Sequence, residues 1–203
     1  MALINPKKKE VQIKIVYYGP GRGGKTTNLE YINEKFKSRI KSEMVTVKTY
    51  GDRTLFFDFL PLDIGTIMGH TIKIQFYTVP GQVKYNATRR LVLRGVDGIV
   101  FVADSMSLRR EMNIKSLQNL EENLQSFNKD ITKIPIVLQY NKRDLAKHNI
   151  PLLSVESMQN DLNSKMNAPY FCASAITGEN VALTMKKIIS LTVTSLKKKL
   201  EDK

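Results

Sequence analysis

Cysteine is almost missing from this 203-residue chain: Cys172 stands alone, so no internal disulfide can form. A reducing cytoplasm fits such a chain and is the expected location. Long hydrophobic runs are missing too, and no apolar stretch reaches the length of a membrane span. The opening Met1-Ala2-Leu3-Ile4-Asn5-Pro6 puts its few apolar residues ahead of Lys7-Lys8-Lys9, the reverse of a secretory signal. Position 2 is not glycine, and Leu200-Glu201-Asp202-Lys203 holds no cysteine, so neither myristoylation nor prenylation is expected. No internal repeat and no Pro-, Gly- or Ser-rich linker divides the sequence. The expectation is one domain over 1–203, with a basic N-terminal extension at 1–10 and a basic C-terminal tail at 197–203. His70 and His148 are lone histidines without metal-ligand spacing.

Acidic residues are scarce: 19 against 32 lysines and arginines, a formal charge of +13. Such a chain can attract nucleic acid, anionic lipid or an acidic protein. No helix-turn-helix, zinc or RNA-binding signature accompanies the charge, so no nucleic-acid partner is expected. Lysines gather at both ends, Lys7 to Lys9 and Lys197 to Lys199, which reads as solvated tails. Membrane contact is expected to be indirect or electrostatic at most.

With 42% hydrophobic and 25% charged residues, the composition is that of a soluble globular protein. Strand and helix patterns alternate, which predicts an α/β fold: a mostly parallel sheet of six to seven strands with helices on both faces. Strands are predicted at Val11 to Tyr18, Met44 to Thr49, Ile72 to Tyr77, Gly98 to Ala103, Ile134 to Tyr140 and Tyr170 to Ala173. A helix should begin near Gly24. Leu117, Leu120, Leu124 and Phe127 mark a second helix, Ser154 suits the cap of a third, and Val181 to about Leu200 forms the last. Leu55 to Pro61 carries three phenylalanines and reads either as a buried strand or as a mobile segment that docks partners. Cys172, in a strand, reads as a buried small hydrophobe.

Gly19-Pro20-Gly21-Arg22-Gly23-Gly24-Lys25-Thr26 matches the phosphate-binding pattern G-x-x-x-x-G-K-[ST]. Its glycines let the backbone wrap phosphates with inward amides, and the following helix adds its positive end. Lys25 should reach the β- and γ-phosphates, and the Thr26 hydroxyl should ligate Mg²⁺, with Thr27 beside it. Asn141-Lys142-Arg143-Asp144 follows an apolar strand and resembles the N-K-x-D guanine reader of regulatory GTPases. A carboxylate at Asp144 can accept from both N1–H and the 2-amino group of guanine. Adenine lacks both donors and would leave a buried charge unpaired. Asn141 would tie this loop to the phosphate loop. Ser174-Ala175 resembles the S-A-x loop whose backbone amide contacts guanine O6.

A Ras-like GTPase also needs a threonine that meets Mg²⁺ and the γ-phosphate only with GTP bound. Thr54 is chosen over Thr46 and Thr49, which sit in or beside a predicted strand. Arg53 beside it could act as an internal arginine finger. Thr78-Val79-Pro80-Gly81-Gln82 stands where the pattern D-x-x-G-Q is usual. The Gly81 amide should bind the γ-phosphate, and Gln82 should orient the attacking water. Thr78 replaces the aspartate and could act on Mg²⁺ only through water. Asp104, at a strand end beside the site, is expected to pack against the phosphate loop.

Together, Tyr17-Tyr18-Gly19-Pro20-Gly21, Asp52-Arg53-Thr54-Leu55-Phe56-Phe57-Asp58-Phe59-Leu60-Pro61, Tyr77-Thr78-Val79-Pro80-Gly81-Gln82 and Gln139-Tyr140-Asn141-Lys142-Arg143-Asp144 resemble the bacterial MglA family of Ras-like small GTPases. The resemblance is dense to about Asp144 and thins beyond. Threonine at the first position of the second switch is a mark of that family. The resemblance implies a switch that binds GTP or GDP with Mg²⁺ and hydrolyses GTP slowly until a partner stimulates it. It implies control of cell polarity and gliding or twitching motility, with enrichment at a cell pole in the GTP state. It implies a roadblock-type MglB-like dimer as activating protein, polar effectors as further partners, and a chain that is monomeric alone. Arg53 then matches the arginine supplied in cis, and Gln82 the water-positioning glutamine. A nucleotide-dependent scaffold with little hydrolysis is the alternative.

Overall fold

Two kinds of strand are written in the sequence, and they fold differently. In Gly98–Asp104 and Ile136–Asn141 every residue is buried, the signature of parallel strands covered on both faces. In His70–Thr78 the pattern alternates, with Ile72, Ile74 and Phe76 inward. The computed structural model describes residues 3–5, 9–39, 44–46, 58–67 and 69–201. In chain order the elements are β1 (Leu3–Asn5), β2 (Glu10–Tyr18), α1 (Lys25–Lys35), β3 (Val45–Thr46), β4 (Asp58–Ile67), β5 (His70–Thr78), α2 (Asn86–Leu93), β6 (Gly98–Asp104), α3 (Arg110–Gln125), β7 (Ile136–Asn141), α4 (Val155–Leu162), β8 (Tyr170–Cys172) and α5 (Val181–Glu201).

Among the described residues the sheet has eight strands, in the order β3-β4-β5-β2-β6-β7-β8, with β1 paired to β2 off this path. Strands β5, β2, β6, β7 and β8 run parallel, while β4 is antiparallel to β5 and β3 to β4. The six to seven strands expected are thus exceeded by β1, whose three residues lie antiparallel to Glu10–Gln12 within the stretch expected as a basic extension. β4 answers part of the question left open for Leu55 to Pro61. It is a strand from Asp58 onward, with Leu60 and Leu62 in the core, while residues 51–57 lie outside the described ones. Likewise β3 is a strand at Val45–Thr46 of the predicted second strand, and residues 47–49 lie outside the described ones. Helix α2 has no counterpart in the sequence reading. The basic end expected as a tail continues α5 to Glu201.

The sheet separates two cores. On one face Ile13, Ile15 and Tyr17 of β2 pack with Leu29 and Ile32 of α1 and Val181, Met185 and Ile188 of α5. On the other, Val16 and Tyr18 pack with Val92 and Leu93 of α2, Leu120 and Leu124 of α3, and Met158 and Leu162 of α4. Ser154 caps α4 as expected, its Oγ accepting from Ser157 N at 3.0 Å. Helix α3 departs from a simple amphipathic stripe: Asn113, Ser116, Asn119 and Asn123 are buried beside the leucines. Arg89 of α2 enters this polar seam fully buried. It donates through Nε to Tyr18 Oη at 2.9 Å and through Nη2 to Ser116 Oγ at 2.9 Å. Cys172 is half-buried against the core rather than enclosed.

Candidate functional site

Loops leaving the carboxyl ends of five parallel strands meet at one edge of the sheet, the place where open α/β sheets hold ligands. They carry Gly19 to Gly24 after β2, Val79 to Gln82 after β5, Ser105 after β6, Lys142 to Asp144 after β7, and Ala173 to Ala175 after β8. Between the first two lies a cleft of about 270 Å³ lined by Arg22, Gly24, Lys25, Thr26, Thr27, Thr78 and Gly81, among others.

The first loop is shaped by what cannot fit there. Gly19 has φ +143°, and a Cβ on it would collide with the Val102 carbonyl of β6. Gly24, at the head of α1, has φ +96°, and a Cβ there would strike Asn141 Nδ2. Arg22 adopts φ +61° without being glycine. Left-handed residues at 22 and 24, alternating with Gly23, bring successive amides toward one side. The amino end of α1 adds its partial positive charge there. Lys25 is 6% exposed, and its Nζ donates to Gly19 O at 3.1 Å and Pro20 O at 2.7 Å, which fixes a cation at the cleft floor.

The second loop lies directly on the first. A Cβ on Gly81 would collide with Gly21 Cα and sit 2.9 Å from Lys25 Nζ. A Cβ on Gly21 would be 3.7 Å from Gln82 Cγ, so Gln82 stands exposed beside the phosphate-loop motif. Thr78 is 2% exposed at the end of β5 and lines the cleft together with Thr26.

Asn141 joins three loops. Its Nδ2 donates to Gly23 O at 2.8 Å, and its Oδ1 accepts from Ala175 N at 2.8 Å. The expected tie to the phosphate loop is therefore present, and the Ala175 amide, expected to face a base, is engaged by Asn141. Ser174 is buried, its Oγ accepting from Thr177 N. Lys142, at φ +70°, donates through Nζ to Asp104 Oδ2 at 2.7 Å. Asp144 is half-buried in the first turn after β7. Its neighbour Arg143 braces that turn, with its N–H on Ala173 O and its Nη1 on Leu153 O.

Asp104 packs toward the phosphate loop as expected, through an intermediary the sequence reading missed. Arg109 Nε lies 3.6 Å from Asp104 Oδ2, and Arg109 Nη2 donates to Gly21 O at 2.6 Å. A single arginine five residues beyond a strand end carries no pattern by which sequence alone could single it out. Of the expected site residues, Gly19, Gly21, Arg22, Gly23, Gly24, Lys25, Thr26, Thr27, Thr78, Gly81, Gln82, Asn141, Lys142, Asp144, Ser174 and Ala175 gather at this edge. Arg53 and Thr54 lie outside the described residues.

The residues fit a nucleotide with its cation. The glycine cradle closes if Cβ atoms are added, a lysine ammonium lies at its floor, and Thr26 and Thr78 bring hard oxygen donors of the kind Mg²⁺ takes.

Comparison with known proteins agrees. The Ras family model matches residues 14–194. The mutual gliding-motility protein MglA of Myxococcus xanthus is 50% identical over 198 residues, covering 98% of this chain and 99% of that protein. The Ras-related protein RABG3f of Arabidopsis thaliana is 27% identical, covering 87% of this chain and 80% of its own length. Rab7 of Cenchrus ciliaris is also 27% identical, with coverages of 86% and 79%. With a whole-length relative at that identity and a family model spanning the sheet and its loops, the chain belongs to the Ras family of small GTP-binding proteins, on its MglA branch.

Proposed function

We propose that the chain is a GTP-hydrolysing switch that controls cell polarity and motility of the gliding or twitching type. The observation that carries the enzymatic part is Asn141, whose one side chain bonds both the phosphate-loop motif and the Ser174–Ala175 loop. Phosphates and base are then read by one rigid unit, with Asp144 selecting guanine. The motility part rests on the 50% identity to the Myxococcus protein, whose name states that role.

In this reading Thr26 and Thr54 would hold Mg²⁺, with Thr78 acting on it through water, and the ion would supply charge neutralisation at the phosphates. Gly81 lies so close to Lys25 and Gly21 that a third phosphate between them must displace the Thr78–Gln82 loop. A displaced loop would tell a partner which nucleotide is bound. Gln82, beside Gly21, orients the attacking water, and Arg53 neutralises charge developing in transfer. Hydrolysis is slow alone and is stimulated by a roadblock-type MglB-like dimer, while polar effectors read the GTP state. The protein is cytoplasmic, monomeric alone and enriched at a pole with GTP.

Equilibrium titration with GTP and ATP tests the base reading: GTP is expected to win by at least about 100-fold, and Asp144→Asn to abolish the preference. Comparable affinities would remove guanine from the account. Single-turnover hydrolysis tests the chemistry. Arg53→Ala should still bind GTP and lose stimulated hydrolysis by roughly 10³–10⁵-fold, whereas lost binding would make Arg53 a ligand residue instead. Equal rates for wild type and Gln82→Ala would remove Gln82 from the mechanism. A pull-down comparing GTP- and GDP-loaded protein identifies the partners, and identical captures in the two states would argue against a switch.

A further inference from the structure

Arg109 ends the short 3-10 turn Ser107–Arg109 that connects β6 to α3, and belongs to none of the nucleotide-binding motifs. Its guanidinium nevertheless reaches 88 residues back along the chain to the phosphate-loop motif, where Nη2 donates to Gly21 O at 2.6 Å. Its Nε faces Asp104 Oδ2 at 3.6 Å, and that oxygen also accepts from Lys142 Nζ at 2.7 Å. Asp104 is fully buried, and its Oδ1 is held by Met106 N at 3.1 Å. The carboxylate is therefore a fixed post with a cation on either side: one from the guanine-reading loop, one touching the phosphate loop.

What this does to the phosphate loop follows from peptide geometry. In a trans peptide the C=O of one residue and the N–H of the next point in opposite directions. Drawing the Gly21 carbonyl out toward Arg109 sends the Arg22 N–H the other way. Asn141 does the same one step along: it holds Gly23 O from outside at 2.8 Å, which turns the Gly24 N–H around. The two cases differ in one respect. Gly24 adopts its positive φ freely, whereas Arg22 sits at φ +61° with a Cβ, a conformation that ordinary residues disfavour. Arg22 therefore needs its preceding peptide plane held, and Arg109 is placed to hold it.

We propose that Arg109 is a positioning residue of the nucleotide site: it fixes the Gly21–Arg22 peptide so that the Arg22 amide faces the phosphates, and through Asp104 it ties that peptide to the guanine-reading loop. The inference rests on the nucleotide-binding reading and adds a residue that no motif of that reading contains.

The test separates phosphates from base. GDP and inosine diphosphate carry the same phosphates, but inosine lacks the 2-amino group that Asp144 would read. Affinities of both are measured by equilibrium titration for wild type and for Arg109→Met, which keeps an apolar arm and removes every donor. The expected result is a loss of about tenfold for both ligands, with the GDP-to-inosine-diphosphate ratio unchanged. Wild-type affinity in the variant overturns the proposal. So does a loss confined to GDP, which would make Arg109 a brace of the base loop alone. Should Arg109→Met not fold, Arg109→Lys decides. Its shorter reach and lack of a planar fork remove the paired approach to Gly21 O and Asp104 that the guanidinium makes, so both affinities are expected to fall together, and unchanged values overturn the proposal. Wild-type protein that ignores both diphosphates at micromolar concentration removes the nucleotide reading itself, an outcome distinct from a silent Arg109→Met.

Discussion

At the scale of single residues, the site depends on side chains that bond backbone more than on side chains that bond one another. Asn141 shows the logic. It is 1% exposed, and its amide offers a donor to Gly23 O and an acceptor to Ala175 N at the same time. No other residue of that size supplies both in fixed orientation. Asn141→Ala removes the bond on Gly23 and leaves the buried Ala175 N–H without its acceptor, so a loss of about 1–3 kcal/mol in urea unfolding is expected. Asn141→Asp keeps the acceptor for Ala175 but sets a carboxylate against the Gly23 carbonyl, so it should rescue nothing. An aspartate variant as stable as wild type would show that the donor to Gly23 contributes little. The same position explains Gly24: an alanine there would meet Asn141 Nδ2 as well as a φ of +96°, so Gly24→Ala is expected to weaken GDP binding at least as much as Asn141→Ala does.

At the scale of elements, two contacts set how α3 is held, and they differ in kind. Between α2 and α3 lies Arg89, a fully buried cation that, among the described residues, has no ion-pair partner and no hydrogen-bond partner for its Nη1. Burial pushes its guanidinium pKa down, and the Tyr18 hydroxyl pushes it back up. Of its two partners, Tyr18 has other bonds: Oη donates to Asn119 Oδ1 at 2.8 Å and accepts from Asn123 Nδ2 at 3.2 Å. Removing the charge while keeping the volume therefore strands no ion. Arg89→Met is expected within about 1 kcal/mol of wild type in urea unfolding, and Arg89→Ala, which opens a cavity, to lose about 2–4 kcal/mol. A methionine variant as damaged as the alanine one would show that the charge itself stabilises the seam. Between α3 and α4 the contact is an ordinary surface ion pair. Arg110 meets Asp161 through two bonds, at 2.7 and 2.8 Å, and the arginine side chain is 53% exposed. Those bonds hold the Asp161 carboxyl below its usual range. A depressed carboxylate contributes stability above its unfolded pKa and loses it as pH falls through the folded one. Asp161→Asn should thus lose less than about 1 kcal/mol at neutral pH, since water screens the pair. The difference from wild type should shrink as pH falls below the usual carboxylate range and through the depressed folded-state pKa. A gap that persists in acid would assign the effect to packing.

At the scale of the whole molecule, the legible part of the fold was the part fixed by periodicity and by glycine. The buried runs of β6 and β7, the Ser154 cap and the phosphate-loop motif each act within a few residues, and each stands where its pattern predicts. Elements that depend on distant partners were not legible. β1 exists because Glu10–Gln12 has an open side below the point where β6 begins to pair. Helix α2 carries only eight residues, and of its two fully buried side chains, Arg89 and Leu93, one is an arginine. Arg109 is brought to the phosphate loop by a carbonyl 88 residues away. These long-range joints explain how the site should respond to its ligand. Among the described residues the bonds of Asn141, Asp104 and Arg109 join loops that leave different strands, and a nucleotide lying across those loops adds to their cohesion. A ligand that binds the folded chain alone at about 100 times its Kd stabilises it by about 2.7 kcal/mol. For a chain of 203 residues that is a rise in Tm of roughly 5–10 °C. Thermal unfolding with GDP and Mg²⁺ at that ratio should show it, and Asn141→Ala should show the same rise at the same multiple of its own weaker Kd, from a lower starting Tm. A wild-type shift below about 2 °C, or an equal one with ADP at that concentration, would mean that these loops do not close on a guanine nucleotide.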